Sequence, residues 1–141
     1  MRQINKIIVH CTATPEGREV TKEDLHKWHV VDRNFSDIGY HWFIDLNGER
    51  HECRPEHKSG AHAKGHNSDS IGICYAGGCD TSMNPKDTRT EAQKEGLHCM
   101  IQDLLDRYRN AEVIGHRDIS SKACPSFDAK EEYKDMRPYT L

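Results

Sequence analysis

Long apolar runs are missing from this chain of 141 residues, and that absence narrows what it can be. No stretch approaches the roughly 20 apolar residues that a membrane-spanning helix requires, so no membrane partner is expected. The opening Met1-Arg2-Gln3-Ile4-Asn5-Lys6 lacks the apolar core of a secretory signal, so cytoplasmic synthesis without a signal peptide is expected. Excess positive charge is missing too. Twenty Lys and Arg against 23 Asp and Glu leave a formal charge of −3, which gives no broad cationic footprint for nucleic acid. The sequence also has no internal repeat, low-complexity tract or interdomain linker. What is present suits one domain over residues 1–141, acting as a monomer. Hydrophobic residues make up only 35%, but they fall in periodic clusters, which marks a folded domain rather than a disordered one. A chain of this size removes about two-thirds of its unfolded surface from water, enough for one continuous core.

Six cysteines raise the question of disulfides. Without an export signal the thiols should stay reduced, and a chain this long needs no staples. Cys11, Cys53, Cys74, Cys79 and Cys99 read as small buried or half-buried hydrophobes. Cys124 stands apart because of its neighbours, described below.

The periodicity predicts alternating strands and helices. Lys6 to Thr12 is a β-branched run of the buried-strand type. Thr14 to Val20, with Pro15 and Gly17, reads as a loop. Thr21 to Asp24 forms a capping pattern before a helix that turns Leu25, Trp28 and Val31 inward. Tyr40 to Leu46 and Glu49 to Arg54 flank Asn47-Gly48, a hairpin signal in which both turn residues take positive φ. Ser70 to Tyr75 is a second buried strand, ended by Gly77-Gly78. The clearest helix begins near Thr90, capped with Gln93, and carries Leu97, Met100, Ile101, Leu104, Leu105 and Tyr108 on one face against a sheet. Glu112 to Gly115 is a short strand that delivers His116 into a loop. The order implies an α/β single domain, a central mixed β-sheet flanked by helices, with the site at strand ends.

Three residues carry the candidate chemistry. His10 ends the run Ile7-Ile8-Val9, and His116 follows the last strand. Cys124 lies in Lys122-Ala123-Cys124-Pro125 shortly afterwards. Two imidazoles and one thiolate form the ligand set of a catalytic zinc site whose fourth tetrahedral position stays open. A structural site would fill that position with a fourth protein ligand. Cys11 is poorly placed to join His10, because successive strand side chains point to opposite faces. His26, His29, His51, His57 and His98 read as solvated or structural.

Four short motifs select among these residues. They are Val9-His10-Cys11-Thr12-Ala13-Thr14 with Asp37-Ile38-Gly39-Tyr40-His41, His62-Ala63-Lys64-Gly65-His66-Asn67, Ser70-Ile71-Gly72-Ile73, and His116-Arg117-Asp118 with Lys122-Ala123-Cys124-Pro125. In this order and spacing, from Ile7 to about Tyr133, the chain resembles the small zinc-dependent N-acetylmuramoyl-L-alanine amidases of phage-lysozyme type, relatives of the peptidoglycan recognition proteins. The resemblance implies one Zn2+ per chain on His10, His116 and Cys124, with Tyr40 and Lys122 as further catalytic residues. It implies a substrate groove with His62, Ala63, Lys64, His66 and Asn67 on one wall. His41 reads as structural. Binding-only members of this superfamily typically lack the cysteine ligand, often carrying serine instead.

The implied reaction is hydrolysis of the amide between N-acetylmuramic acid and L-alanine in peptidoglycan or a muropeptide. An amide carbonyl is a poor electrophile and water a poor nucleophile. Zinc addresses both, by lowering the pKa of bound water to about 7 and by polarising the carbonyl. Charge then develops on the carbonyl oxygen, and either the Tyr40 hydroxyl or the Lys122 ammonium is a suitable donor to it. Lys122 is also a candidate proton carrier to the leaving amine. A phage or prophage lysis enzyme, reaching the wall through a separate pore, is the expected setting. The alternatives are a wall-fragment recycling amidase, a non-catalytic peptidoglycan-binding or regulatory module, and a structural zinc protein.

Overall fold

The computed structural model describes residues 2–139. Five strands build the main sheet in the order β4-β3-β5-β1-β7: β1 Lys6–Cys11, β3 Trp42–Ile44, β4 Arg50–Glu52, β5 Ser70–Tyr75 and β7 Glu112–Gly115. Only β3 with β4 is antiparallel; β3–β5, β5–β1 and β1–β7 are parallel, so the sheet is mixed. A second, two-stranded parallel ribbon joins β2, Thr14–Pro15, to β6, Gly78–Cys79. The helices are α1, Lys22–His26, α2, Glu91–Arg107, and α3, Ala129–Glu132.

The central strands are covered on both faces, which is why they read as near-continuous apolar runs. Alternation then sorts their side chains. Ile7, Val9 and Cys11 of β1, with Ile71, Ile73 and Tyr75 of β5, share one cluster with α2 residues Leu97, Met100, Ile101, Leu104 and Leu105. Ile8 of β1 and Cys74 of β5 face the other way, into separate clusters with Ala63 and Ile114 and with Leu25, Ile38 and Phe43. His10 and Gly72 have the same parity as Ile8 and Cys74, so the sheet face opposite α2 carries the candidate site. Each fully buried Leu or Ile under α2 contributes about 1.5–3 kcal/mol of hydrophobic stabilisation.

The caps are as the sequence indicates. Thr90 Oγ1 accepts the Gln93 N–H and Gln93 Oε1 accepts the Thr90 N–H; Thr21 and Asp24 do the same for α1. Gln93 is wholly buried, and its side-chain amide also donates to the Ala76 carbonyl at the end of β5.

Several expectations need correction. The helix after Thr21 widens into a π-type turn over Lys27–Val31, closed by Asp32 N–H to the Lys27 carbonyl. The wider turn slips the 3.6-residue spacing, so Leu25 stays inside while Val31 is 62% exposed. Thr14 and Pro15 are not plain loop, because they pair with the Gly78–Cys79 segment. In the hairpin only Gly48 takes positive φ. The Asp45 carboxylate accepts the Asn47 and Glu49 N–H groups, and the Gly48 N–H closes a turn on the Asp45 carbonyl. This is the longer loop in which a left-handed glycine follows the turn, chosen by the aspartate. All six cysteines are free, and Cys99 is exposed rather than buried, since it points away from the α2 face that meets the sheet.

Helix α2 meets the hairpin through glycine on both sides. A Cβ on Gly96 would stand 2.3 Å from the Gly48 carbonyl oxygen. In an open helix, Gly→Ala stabilises by about 1 kcal/mol. Here Gly96→Ala is expected to destabilise by about 1–3 kcal/mol, because backbone must give way. Urea unfolding measures the sign, and a raised midpoint would show that the hairpin is free to move off α2.

Candidate metal centre

β1 ends at the site. His10 is 2% exposed, and its Nδ1 lies 3.8 Å from Cys124 Sγ. Register Val9↔Gly115 brings β7 to its end beside it, so His116, the next residue, sits with its ring 4.6 Å from that of His10. His10, His116 and Cys124 each offer a ligand atom within 4.8 Å of the others. A tetrahedral ion with Zn–N near 2.0 Å and Zn–S near 2.3 Å spaces its N and S ligands by roughly 3.5 Å, so the cluster suits such an ion. Among the described residues no fourth His, Cys, Asp or Glu joins this cluster.

Local contacts hold Cys124 in place. The Cys11 N–H donates to Cys124 Sγ at 3.2 Å, and the Arg117 N–H donates to the Cys124 carbonyl at 2.7 Å. Tyr75 OH donates to the Pro125 carbonyl at 2.7 Å, and Ser126 Oγ donates to the Gly78 carbonyl at 2.8 Å. The Asp118 carboxylate receives the Gly115 N–H, which fixes the turn bearing His116. Further back, the Arg89 guanidinium, with its side chain 2% exposed, bridges Asp87 and Glu132 and lies 3.4 Å over the Phe127 ring. It ties the segment after Cys124 to the start of α2.

The electrostatics favour metal-binding protonation states. Burial first, then His62, His116 and Lys122, hold the His10 imidazolium far below its ordinary range. Burial and Lys122 lower His116 in the same direction. Both rings are therefore held neutral, the form that ligates. The adjoining Cys11 sulfur and burial disfavour a free Cys124 thiolate, so a cation that binds must displace the thiol proton. Burial, with Cys74 and Cys124 nearby, raises Tyr40 well above its usual range and keeps it a neutral donor. Its ring lies 5.1 Å from that of His10.

The cluster opens into a groove of about 840 Å³. Tyr40 and Lys122 line it, as do His62, Ala63, Lys64 and Asn67. His66, expected on the wall, is not among the lining residues; its N–H closes a turn on the Ala63 carbonyl. Ala63 is 1% exposed and mostly packs on Ile8 and Ile114. Asn67 Oδ1 is occupied by the N–H groups of His62 and Ala63, and both ring nitrogens of His62 are engaged, toward His10 and Ser70. Lys64 is exposed, and among the described residues its side chain has no hydrogen-bond partner. Sequence reasoning missed the facing wall. Arg33 lies over the Phe35 ring at 4.6 Å, and both line the groove with His29. Their only signal was a cation and an aromatic just before Asp37-Ile38-Gly39-Tyr40.

His29 and His41 serve the scaffold. His29 Nδ1 accepts the Gly39 N–H at 2.8 Å. His41, 0% exposed, accepts the Gly72 N–H on Nδ1 and donates from Nε2 to the Lys58 carbonyl.

A family model described as N-acetylmuramoyl-L-alanine amidase matches residues 1–127. The endolysin of Klebsiella phage KP32 is 36% identical over 129 residues, covering 92% of this chain and 85% of that protein. The endolysin of Escherichia phage T7 is 38% identical over 124 residues, covering 88% and 82%. Among solved structures, the N-acetylmuramoyl-L-alanine amidase LysC from Clostridium intestinale URNW aligns with a TM-score of 0.77 at 26% identity, covering 93% of this chain and 82% of that one.

The buried histidines give the metal-free protein an acid-sensitive stability. Burial, reinforced by the Arg2 guanidinium, pulls His41 down to about 4, against about 6.5 in an unfolded chain. Between those values the unfolded state binds the extra proton, so stability falls as pH drops from about 6.5 toward 4. At pH 5 this amounts to about 2 kcal/mol for His41 alone. Urea unfolding at pH 7.5 and 5 should show the loss. His41→Asn, whose side-chain oxygen can still accept the Gly72 N–H, should shrink it; an unchanged loss would remove His41 as its source.

Proposed function

Because the chain belongs to the N-acetylmuramoyl-L-alanine amidase family, we propose that His10, His116 and Cys124 hold one zinc ion with which it cleaves the bond between N-acetylmuramic acid and L-alanine. The chain is an amidase of phage type, with endolysin relatives along nearly its whole length. The observation that carries the zinc assignment is the convergence of two imidazoles and one thiol, from three distant segments, at the floor of an open groove.

The donor set fits the ion. Imidazole with thiolate suits zinc, and three protein ligands with an open side define a catalytic rather than a structural site. Bound there, zinc supplies an activated water and a Lewis acid for the scissile carbonyl.

The chain's own residues do the rest. His10 and His116 offer neutral nitrogens, and Cys124 gives up its proton to become the anionic ligand. Tyr40, kept protonated by burial, offers its hydroxyl to the oxygen on which charge develops. Lys122, exposed on the loop between His116 and Cys124, brings its side-chain amine to the groove and is the second donor or the proton carrier to the leaving amine. Lys64 on one wall and Arg33 on the other offer cations to the carboxylates of the peptide stem. Peptidoglycan or a muropeptide is the partner, and every residue invoked comes from a single chain, in keeping with a monomer. No helix among the described residues is long and apolar enough to cross a membrane, and delivery to the wall through a separate pore fits the endolysin relatives.

Purified peptidoglycan treated with metal-loaded, chelated and zinc-restored protein tests this directly. New L-alanine amino termini, identified by mass spectrometry, should vanish with chelator and return with zinc. Tyr40→Phe and Lys122→Met should each lower kcat by about 100–1,000-fold while retaining zinc. Near-normal turnover by either variant would remove that residue from the chemistry. An inert, fully zinc-loaded wild type would overturn the catalytic assignment.

A further inference from the structure

Behind the proposed ligand His10 lies a second imidazole that the reaction does not use. His10 presents Nδ1 toward Cys124 and Nε2 toward His62, whose Nδ1 is only 2.7 Å away. On the far side, His62 Nε2 lies 3.3 Å from Ser70 Oγ, a wholly buried hydroxyl on β5. The His62 ring stands edge-on to His10 at 4.8 Å and edge-on to His41 at 5.7 Å. Two glycines make room for it. A Cβ on Gly72 would come within 2.7 Å of His62 Cγ, and one on Gly60 within 2.6 Å of Cδ2. Asn67 pins the His62 backbone by accepting its N–H at 2.9 Å. His62 is half-buried and borders the groove, but both of its ring nitrogens are engaged from behind, toward His10 and Ser70.

Proton counting gives the arrangement its meaning. Two neutral imidazoles sharing one short contact carry one proton between the facing nitrogens. If that proton sits on His62 Nδ1, His10 must carry its own on Nδ1 and has no lone pair for an ion facing Cys124. If it sits on His10 Nε2, then Nδ1 is free to ligate and His62 must accept. The hydrogen of His62 then falls on Nε2, where Ser70 Oγ receives it. Only the second order is compatible with a metal on Nδ1.

We propose that His62 is a positioning residue for the metal: it accepts the Nε2–H of His10 and, anchored by Ser70, commits His10 Nδ1 to the ion. This rests on the zinc reading above. Outer hydrogen-bond partners of this kind fix the tautomer and raise the basicity of a ligating histidine, and their loss typically costs 10–100-fold in metal affinity.

The test is zinc affinity by competition with a chromophoric chelator, for wild type, His62→Phe and His62→Asn. Asn can place its side-chain oxygen where Nδ1 stands. His62→Phe should bind zinc about 10–100-fold more weakly, and His62→Asn should recover most of that loss. Urea unfolding of the metal-free variants separates a lost hydrogen bond from a damaged fold, since a merely structural role would not track the acceptor. In zinc-loaded wild type, 15N-detected NMR should show His10 metallated at Nδ1 and protonated at Nε2. That measurement stands even if His62→Phe fails to fold. Equal zinc affinity in wild type and His62→Phe, or zinc on His10 Nε2, would overturn the proposal while leaving the metal centre intact. Wild type without zinc affinity would instead bring down the metal reading itself, and the positioning role with it.

Discussion

β1 hydrogen-bonds to β5 along one edge and to β7 along the other, and this double pairing leaves its side chains no freedom of face. Ile7, Val9 and Cys11 are committed to α2, which commits Ile8 and His10 to the opposite side. A slip of one residue would exchange the two sets and put an imidazole into the aliphatic core, so the register is enforced by the whole hydrophobic cluster. The same pairing sets where β7 stops, and hence that His116 emerges beside His10. Across the other edge it places Gly72 opposite Ile8, and the missing side chain there is the space that the His62 ring fills.

Much of this was legible in the residues. β5 and β7 have the limits that their apolar runs suggest, because buried parallel strands leave a dense signal. α2 was readable from a capping pair and six apolar positions, which set its start and its face independently. Where a side chain competed with the backbone, pattern alone fell short. Asp45 captures two backbone N–H groups and selects a different turn from the one that Asn47-Gly48 favours. The π-type turn after α1 has no pattern in sequence, and α3 spans only four residues, too few for any period to register.

The site was legible to a different degree. His10, His116 and Cys124 were separable from eight other histidines and five other cysteines only through motif resemblance, and the geometry brings these three together. The groove wall was harder, because a loop sequence does not say which polar atoms the loop itself consumes. Asn67 spends its carbonyl on its own loop, His62 spends both nitrogens, and His66 lies off the lining, while Arg33 and Phe35 enter it from another segment. Of the segment 62–67, Lys64 keeps the freest side chain.

The late position of Cys124, the proposed third ligand, has a consequence for how the molecule comes into being. His10 and Cys124 are separated by 114 positions, and the Cys124 segment is held through partners on β1, β5, the Gly78 segment and the turn after β7. Closing so long a loop requires the sheet to be in place first. A ribosome that has released only the early strands has made one of the three proposed ligands, His10, and no chelate. On the proposed zinc assignment, the chelate acts as a certificate of completeness: a chain without its last segment lacks Cys124, and the capacity to cut arrives with the finished fold.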